Sequence, residues 1–356
     1  MRLYIKVSLL ACLLTSCYGS IFNESAASKP EFTWTLVTSW PKDLPGLGST
    51  PERFAEEVQA MSGGRLTIKV YGADELHSAM DVFKVVSEGK VEMGHSASYY
   101  WQKQLPAAVF FTAIPFGMRA KELNAWLYLG GGLELWRELY APYHVIPFPG
   151  GNTDAQMGGW FNKKITSIDS FKQLKIRFPG LGGDVLTKLG AQTSTQSAGQ
   201  LFTALQSGEL DAVEWVGPYN DLVFGFHRVA SYYYYPGWHE PSTNLEFIVN
   251  EQAFRALPAD LQRIVENATE VVNQETLNEY VVYNVEALNI LANEHGVEVL
   301  AFPPPVLDKL KQLSAEVISD LAQQDPFFER VLSSYQRFQF GVNKYNQVEL
   351  HPTALE

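Results

Sequence analysis

Apolar residues at Trp34 and Leu36, set between threonines, alternate as a strand does, and the turn-rich stretch Pro41 to Gly48 ends it. Thr50-Pro51-Glu52 then predicts a helix start: an N-cap, a proline at the first helical position and an acid in the first turn. Phe54, Val58 and Met61 share one face at helical spacing, Gly63-Gly64 stops the helix, and Leu66, Ile68 and Val70 alternate again. The order β-α-β predicts an α/β fold, a sheet with helices packed on it.

A repeat sharpens this picture. Phe83 to Met93 can be laid over Phe202 to Ala212 at an offset of 119 residues, with Gly89 facing Gly208. Each copy reads as an amphipathic helix, a glycine stop, and a short apolar strand after an acidic residue. Just beyond each strand His95 corresponds to Glu214. Two similar lobes follow, each offering a strand end to a shared cleft, where ligands of open α/β sheets sit. Gly150-Gly151 and the stretch Gly237 to Pro241 mark crossings between the lobes. The first lobe is expected over 32–150 plus about 238–260, and the second over 151–237 plus about 297–325.

After Leu257-Pro258 an apolar pattern (Leu261, Ile264, Val265, Val271, Val272, Leu277, Val281, Leu288, Leu291) meets no breaker before Gly296. It predicts a helix over 259–295, on the order of 50 Å long, able to run along both lobes. Val297 to Leu300 reads as a strand. Pro303-Pro304-Pro305 precedes two last helices, starting near Val306 and at Asp325-Pro326. The last, over 326–346, carries Phe327, Phe328, Val331, Leu332, Tyr335 and Phe338, an apolar load for which burial against a second subunit is one outlet.

Composition narrows the function classes. The 356 residues are 46% hydrophobic and 19% charged, which suits large buried cores and not a disordered chain. A formal charge of −12 argues against a broad nucleic-acid surface, and no apolar run of about 20 residues follows the start. Residues 1–20 read as an export signal: Arg2 and Lys6, then the short apolar run Val7 to Leu14. Leu14-Thr15-Ser16-Cys17 resembles a lipobox, in which Cys17 is lipidated; ordinary cleavage near Ser20 or Ala26 is the alternative. Cys12 and Cys17 are the only cysteines, so the mature chain has neither disulfide nor thiolate metal site. A periplasmic location is expected, either free or anchored through Cys17.

No catalytic motif stands out: GxSxG, HExxH and Walker loops are missing. The seven histidines show no ligand spacing, and Gly180-Leu-Gly-Gly183 reads as a turn. Asn152 to Phe161 places Asn152 and Gln156 among glycines, where backbone can approach a ligand. Arg177 ends the strand Lys175-Ile176-Arg177 beside aromatics and can grip a carboxylate with two parallel hydrogen bonds, or form an ordinary ion pair. Glu214, directly after an apolar strand and next to Trp215, needs a compensating cation. Glu240 lies at the second crossing. Gln156, Glu214, Glu240 and the Trp215 carbonyl form an oxygen set of the kind hard cations take, though each carboxylate could instead cap a helix or pair with an arginine.

At Gly150 to Phe161, Ile176 to Gly180, Asp211 to Asn220 and Tyr232 to Pro241 the sequence resembles the solute-binding subunits of tripartite ATP-independent periplasmic (TRAP) transporters, DctP-like proteins, most of all the α-keto-acid and lactate receptors. The resemblance runs from Trp34 to about Asn346. It implies a two-lobed periplasmic binding protein with crossing strands and a long helix, and a receptor rather than an enzyme. It implies that Arg177 clamps the carboxylate of a small 2-oxo monocarboxylate such as pyruvate, with Gln156 touching substrate and metal. Glu214, the Trp215 carbonyl and Glu240 would ligate Na⁺, or alternatively Ca²⁺, while Trp215 and Phe161 exclude water and Asn152 lines the pocket. The partners implied are membrane permease subunits and a second copy joined through the last helix. The rivals are a metal-dependent enzyme on 2-oxo or 2-hydroxy acids, a lactate receptor, and a sensory binding module. An enzyme would need a positioned base, and no His or Lys adjoins the Glu214 segment in sequence.

Overall fold

The computed structural model describes residues 30–350 as two α/β lobes, each built on one sheet. The expected export signal over 1–20, with Cys12 and Cys17, lies outside the described residues. Strands β1 (Phe32–Thr38), β2 (Leu66–Tyr71), β3 (Met93–Ser96) and β4 (Val145–Asn152) open the first sheet. The chain then crosses to β5 (Gly159–Phe161), β6 (Lys175–Arg177), β7 (Gln192–Ser194), β8 (Ala212–Val213) and β9 (Tyr232–Tyr235). Strand β10 (Asn244–Asn250) returns to the first sheet and β11 (Glu298–Ala301) to the second. The orders are β2-β1-β3-β10-β4 and β11-β9-β5-β8-β6-β7.

The internal repeat has a topological meaning. Strand β3 lies between parallel β1 and antiparallel β10, and β8 lies between parallel β6 and antiparallel β5. Gly89 and Gly208, which precede them, both take the left-handed conformation, at φ +66° and +77°. A side chain is disfavoured there, and the helices stop.

Helix Ser49–Met61 covers the first sheet, its Phe54 ring 4.4 Å from that of Phe247 on β10. It starts a residue before the expected Thr50 cap. The Thr50 hydroxyl instead bonds the Gly46 carbonyl and the Thr276 hydroxyl. The 35-residue helix Ala259–Asn293 buries Leu261, Val265, Ala268 and Val272 against this lobe's core. Further along, its Tyr280 hydroxyl donates to Asn220 of the second lobe at 2.6 Å. One rod therefore touches both lobes. No helix among the described residues is long and apolar enough to cross a membrane.

Two expectations change. Gly180 to Gly183 is not a turn but the start of helix Gly180–Lys188: Pro179 provides an extended N-cap, and Leu181, Val185 and Leu186 bury one face. The apolar face of the last helix, Pro326–Leu350, is covered by its own chain. Phe328 meets Phe110 at 4.8 Å, Tyr335 meets Trp126 at 5.2 Å, and the Tyr335 hydroxyl accepts from the Met118 amide. That apolar load needs no second subunit.

Strand β10 is buried along its whole length, including Glu246. Burial pushes the Glu246 carboxyl up to about 8, against the opposing donors Trp101 and Tyr140. The unfolded chain titrates this group near 4.3, so between these values the folded state holds the extra proton. The stability it contributes is complete below the lower value and is lost as pH rises through the upper one. In urea melts, Glu246→Gln makes the fall in stability shallower, most clearly from about pH 5 to 7, between the unfolded and folded values; an unaltered slope contradicts this.

Candidate functional site

The site forms where strand ends of the second lobe meet the crossing segments. Strand β6 pairs in parallel with β8, so Arg177 and Glu214 emerge together, and the Glu214 amide donates to the Arg177 carbonyl at 3.0 Å. Arg177 Nη1 donates to the Glu214 carbonyl at 2.6 Å and to Glu214 Oε2 at 3.0 Å. The guanidinium lies 4.9 Å over the Trp215 ring. Its other edge makes only long bonds: Nε to the Gln196 carbonyl at 3.4 Å, and Nη2 to the Tyr100 hydroxyl of the first lobe at 3.3 Å. One edge is thus pinned by Glu214, and the Nε–Nη2 edge is loosely held.

The crossings bring in the rest. The Gly237 amide donates to the Gln156 carbonyl at 3.0 Å, and the Gln156 amide to the Glu240 carbonyl at 3.2 Å. A Cβ on Gly237 would sit 2.2 Å from the Gln156 carbonyl oxygen, so only glycine lets the two segments approach this closely. This places His239 Nε2 3.3 Å from Glu214 Oε1 and 4.0 Å from Glu240 Oε1. Thr243 Oγ1 donates to Glu240 Oε2 and accepts from Gln156 Nε2 at 2.8 Å. One ligating atom each from Glu214, His239 and Glu240 lies within 4.8 Å of the others.

The cluster is sealed from solvent: Arg177 and Glu214 are 0% exposed, Glu240 3% and Gln156 5%. Burial pushes the Glu214 carboxyl up to about 7 against the pull of Arg177. Glu240 is also pushed up to about 7, by burial and then by Glu214. Burial lowers His239 to about 4, which keeps its ring neutral. Gln156 Oε1, Glu214 Oε1 and both His239 nitrogens make no hydrogen bond. Among the described residues nothing donates to the Trp215 carbonyl. Buried acceptors are rarely left bare unless something else meets them. One guanidinium against two carboxylates also leaves this dry space one negative charge in excess when both are ionised, a setting that favours a cation.

Gln156, Arg177, Glu214, Trp215 and Glu240 lie together in the structure. Asn152 ends β4, its Oδ1 accepting from the Asp154 amide at 2.8 Å while its buried Nδ2 lacks a partner. Phe161 does not join the site. Because β5 runs antiparallel to β8, Phe161 leads away from the strand ends and packs on Tyr234 and Phe302 in the second lobe's core. The aromatic walls come instead from Trp40, 6.3 Å from Trp215, and Phe178, 4.3 Å from His239. His95 is no counterpart of Glu214 in chemistry: it bonds Trp40 Nε1 and the Gly150 carbonyl within the first lobe. Sequence reasoning missed His239, Tyr100 and Thr243. His239 directly precedes Glu240, and Tyr100 lies just beyond the end of β3, signals that were available. A histidine therefore does adjoin Glu214 in space, though not in sequence.

Residues 36–325 match the bacterial extracellular solute-binding proteins, family 7 (DctP). The chain belongs to this family. As a family 7 protein it is an extracytoplasmic solute-binding receptor and not an enzyme. It is 39% identical over 336 residues to a monocarboxylate 2-oxoacid-binding periplasmic protein of Nostoc, covering 94% of this chain and 92% of the relative. A TRAP solute-binding protein of Colwellia psychrerythraea, solved with calcium and pyruvate, shares 40% identity at a TM-score of 0.87, covering 89% of this chain and 97% of that one. Its counterpart from Pseudoalteromonas atlantica, solved with sodium and pyruvate, shares 40% identity at 0.88, covering 91% and 99%.

Proposed function

We propose that this chain is the receptor of a TRAP transporter, and that its lobes close around a small 2-oxo monocarboxylate of pyruvate size together with Na⁺ or Ca²⁺. The observation that carries this reading is the sealed convergence of one guanidinium with a bare amide oxygen and two carboxylates. In this reading the loosely held Nε–Nη2 edge of Arg177 takes the ligand carboxylate in a two-bond fork, while Glu214 fixes the other edge. Gln156 Oε1, Glu214 Oε1, Glu240 and the Trp215 carbonyl hold the cation, whose chemistry is to neutralise the excess charge and meet the 2-oxo oxygen. The donor set fits a hard ion, being oxygen throughout; His239 stands beside it as a neutral ring. The Nostoc, Colwellia and Pseudoalteromonas relatives support the same ligand class.

In this account the first lobe is 32–150 with about 238–260, and the second is 151–237 with about 297–325. The TRAP relatives support delivery to membrane permease subunits. A homodimer through the last helix gains support from Phe340 and Tyr345, 75% and 63% exposed there, and a tether through Cys17 from the lipobox-like sequence. Thermal-shift measurements with pyruvate, longer 2-oxo acids and lactate, with and without each cation, test the ligand class. A bound ligand at a hundred times its Kd adds about 2.7 kcal/mol, so pyruvate raises Tm by several degrees in the presence of cation. No shift with any 2-oxo acid contradicts the reading.

A further inference from the structure

Glu246 is fully buried in β10 and has no Lys, Arg or His within ion-pair distance among the described residues. Its Oε1 accepts from Trp101 Nε1 at 2.6 Å and its Oε2 from the Tyr140 hydroxyl at 2.9 Å. A buried carboxyl without a countercharge is unfavourable, and an apolar residue would suit a strand core better. What Glu246 holds explains its presence. Trp101 closes the short 3₁₀ turn Ser98–Trp101, which leaves β3 immediately beyond Ser96, the residue paired with Glu246. The other end of the turn is fixed by the Ser98 hydroxyl, bonded to the Ala108 carbonyl and the Thr112 hydroxyl, each at 2.6 Å. Tyr99 and Tyr100 sit between these two pins, their rings edge to face at 4.9 Å. Tyr100 is the residue through which the first lobe touches the Arg177 fork.

We propose that Glu246 is a positioning residue for ligand binding: through Trp101 it fixes the Tyr100 hydroxyl against Arg177 and so aims the fork. The proposal rests on the reading of Arg177 as the carboxylate clamp. The second lobe uses the same chemistry on its own half of the site. Asp221, also buried, accepts from Trp160 Nε1 at 3.0 Å and the Tyr233 hydroxyl at 2.7 Å, and its other oxygen holds the Val216 amide beside Glu214 and Trp215.

Two variants separate positioning from mere structure. In Glu246→Gln the amide oxygen still accepts from Trp101 and its nitrogen donates to Tyr140, so pyruvate affinity stays within about threefold of wild type. In Glu246→Leu affinity falls by about tenfold or more. A double-mutant cycle with Tyr100→Phe then gives strongly non-additive losses, because both act through one hydroxyl; losses that simply multiply, or an unchanged Kd in Glu246→Leu, overturn the proposal. If Glu246→Leu does not fold, Trp101→Phe enters the same cycle. A ligand-free readout is the Arg177 Nε–H resonance by NMR, assigned through Arg177→Lys. It moves in Glu246→Leu, or in its substitute Trp101→Phe, and in Tyr100→Phe, but not in Glu246→Gln; a fixed resonance in the first is the contrary result. Wild-type protein that binds no 2-oxo acid would refute the clamp reading, and the resonance alone would then decide what Glu246 holds.

Discussion

Arg177→Ala weakens pyruvate binding at least about a hundredfold, which corresponds to roughly 2.7 kcal/mol. The magnitude follows from the setting. Charge-assisted hydrogen bonds contribute about 1.5–3 kcal/mol each, and the guanidinium here is fully buried, so water does not replace the bonds it loses. Arg177→Lys keeps the charge but not the planar fork, and it too falls by more than about tenfold. Arg177→Ala also leaves Glu214 without its partner, and breaking a buried pair destabilises by about 3–5 kcal/mol. Glu214, already pushed up to about 7, then takes a proton more readily. A thermal melt of each variant therefore accompanies the calorimetry. Folded Arg177→Ala with pyruvate affinity within threefold of wild type would falsify the clamp.

Glu240→Gln has the second large effect, on the cation rather than the carboxylate. Glutamine preserves the volume, and its carbonyl oxygen can still accept from Thr243, so the crossing segment keeps its shape. What disappears is one of the two carboxylate charges that face the bare Gln156 and Glu214 oxygens. In cation-saturated buffer the variant binds pyruvate at least about tenfold more weakly than wild type. In buffer free of both Na⁺ and Ca²⁺ the two proteins differ little. The split between these conditions is the informative quantity: a loss of equal size with and without cation would show that Glu240 touches the acid itself or holds the fold.

The sequence made much of this site legible because its donors lie at strand ends and crossings, and both leave marks. The helix–glycine–strand repeat located β3 and β8 at equivalent places in their sheets, and Arg177, Glu214 and Glu240 were visible as charges beside aromatics. Other parts depended on packing. Phe161 looked like a wall from its place near Gln156, yet the antiparallel run of β5 carries it into the core. His239 had no ligand spacing in the chain and became a neighbour of Glu214 only when the second crossing folded back on Gln156. The last helix showed its apolar face plainly, but not that Phe110 and Trp126 of the same chain would cover it. Periodicity tells which face is buried and is silent about what buries it.

In the proposed function, acid and cation occupy one closed space and stabilise each other there. Linkage makes this reciprocal: the factor by which cation tightens pyruvate must equal the factor by which pyruvate tightens cation. Calorimetric titration of a sodium-free pyruvate salt into protein dialysed free of Na⁺ and Ca²⁺, repeated across a series of concentrations of each ion, measures it directly. Pyruvate affinity is expected to climb at least about tenfold as one of these cations is added and to level off at saturation. The same pyruvate affinity in stripped and cation-saturated protein would contradict it.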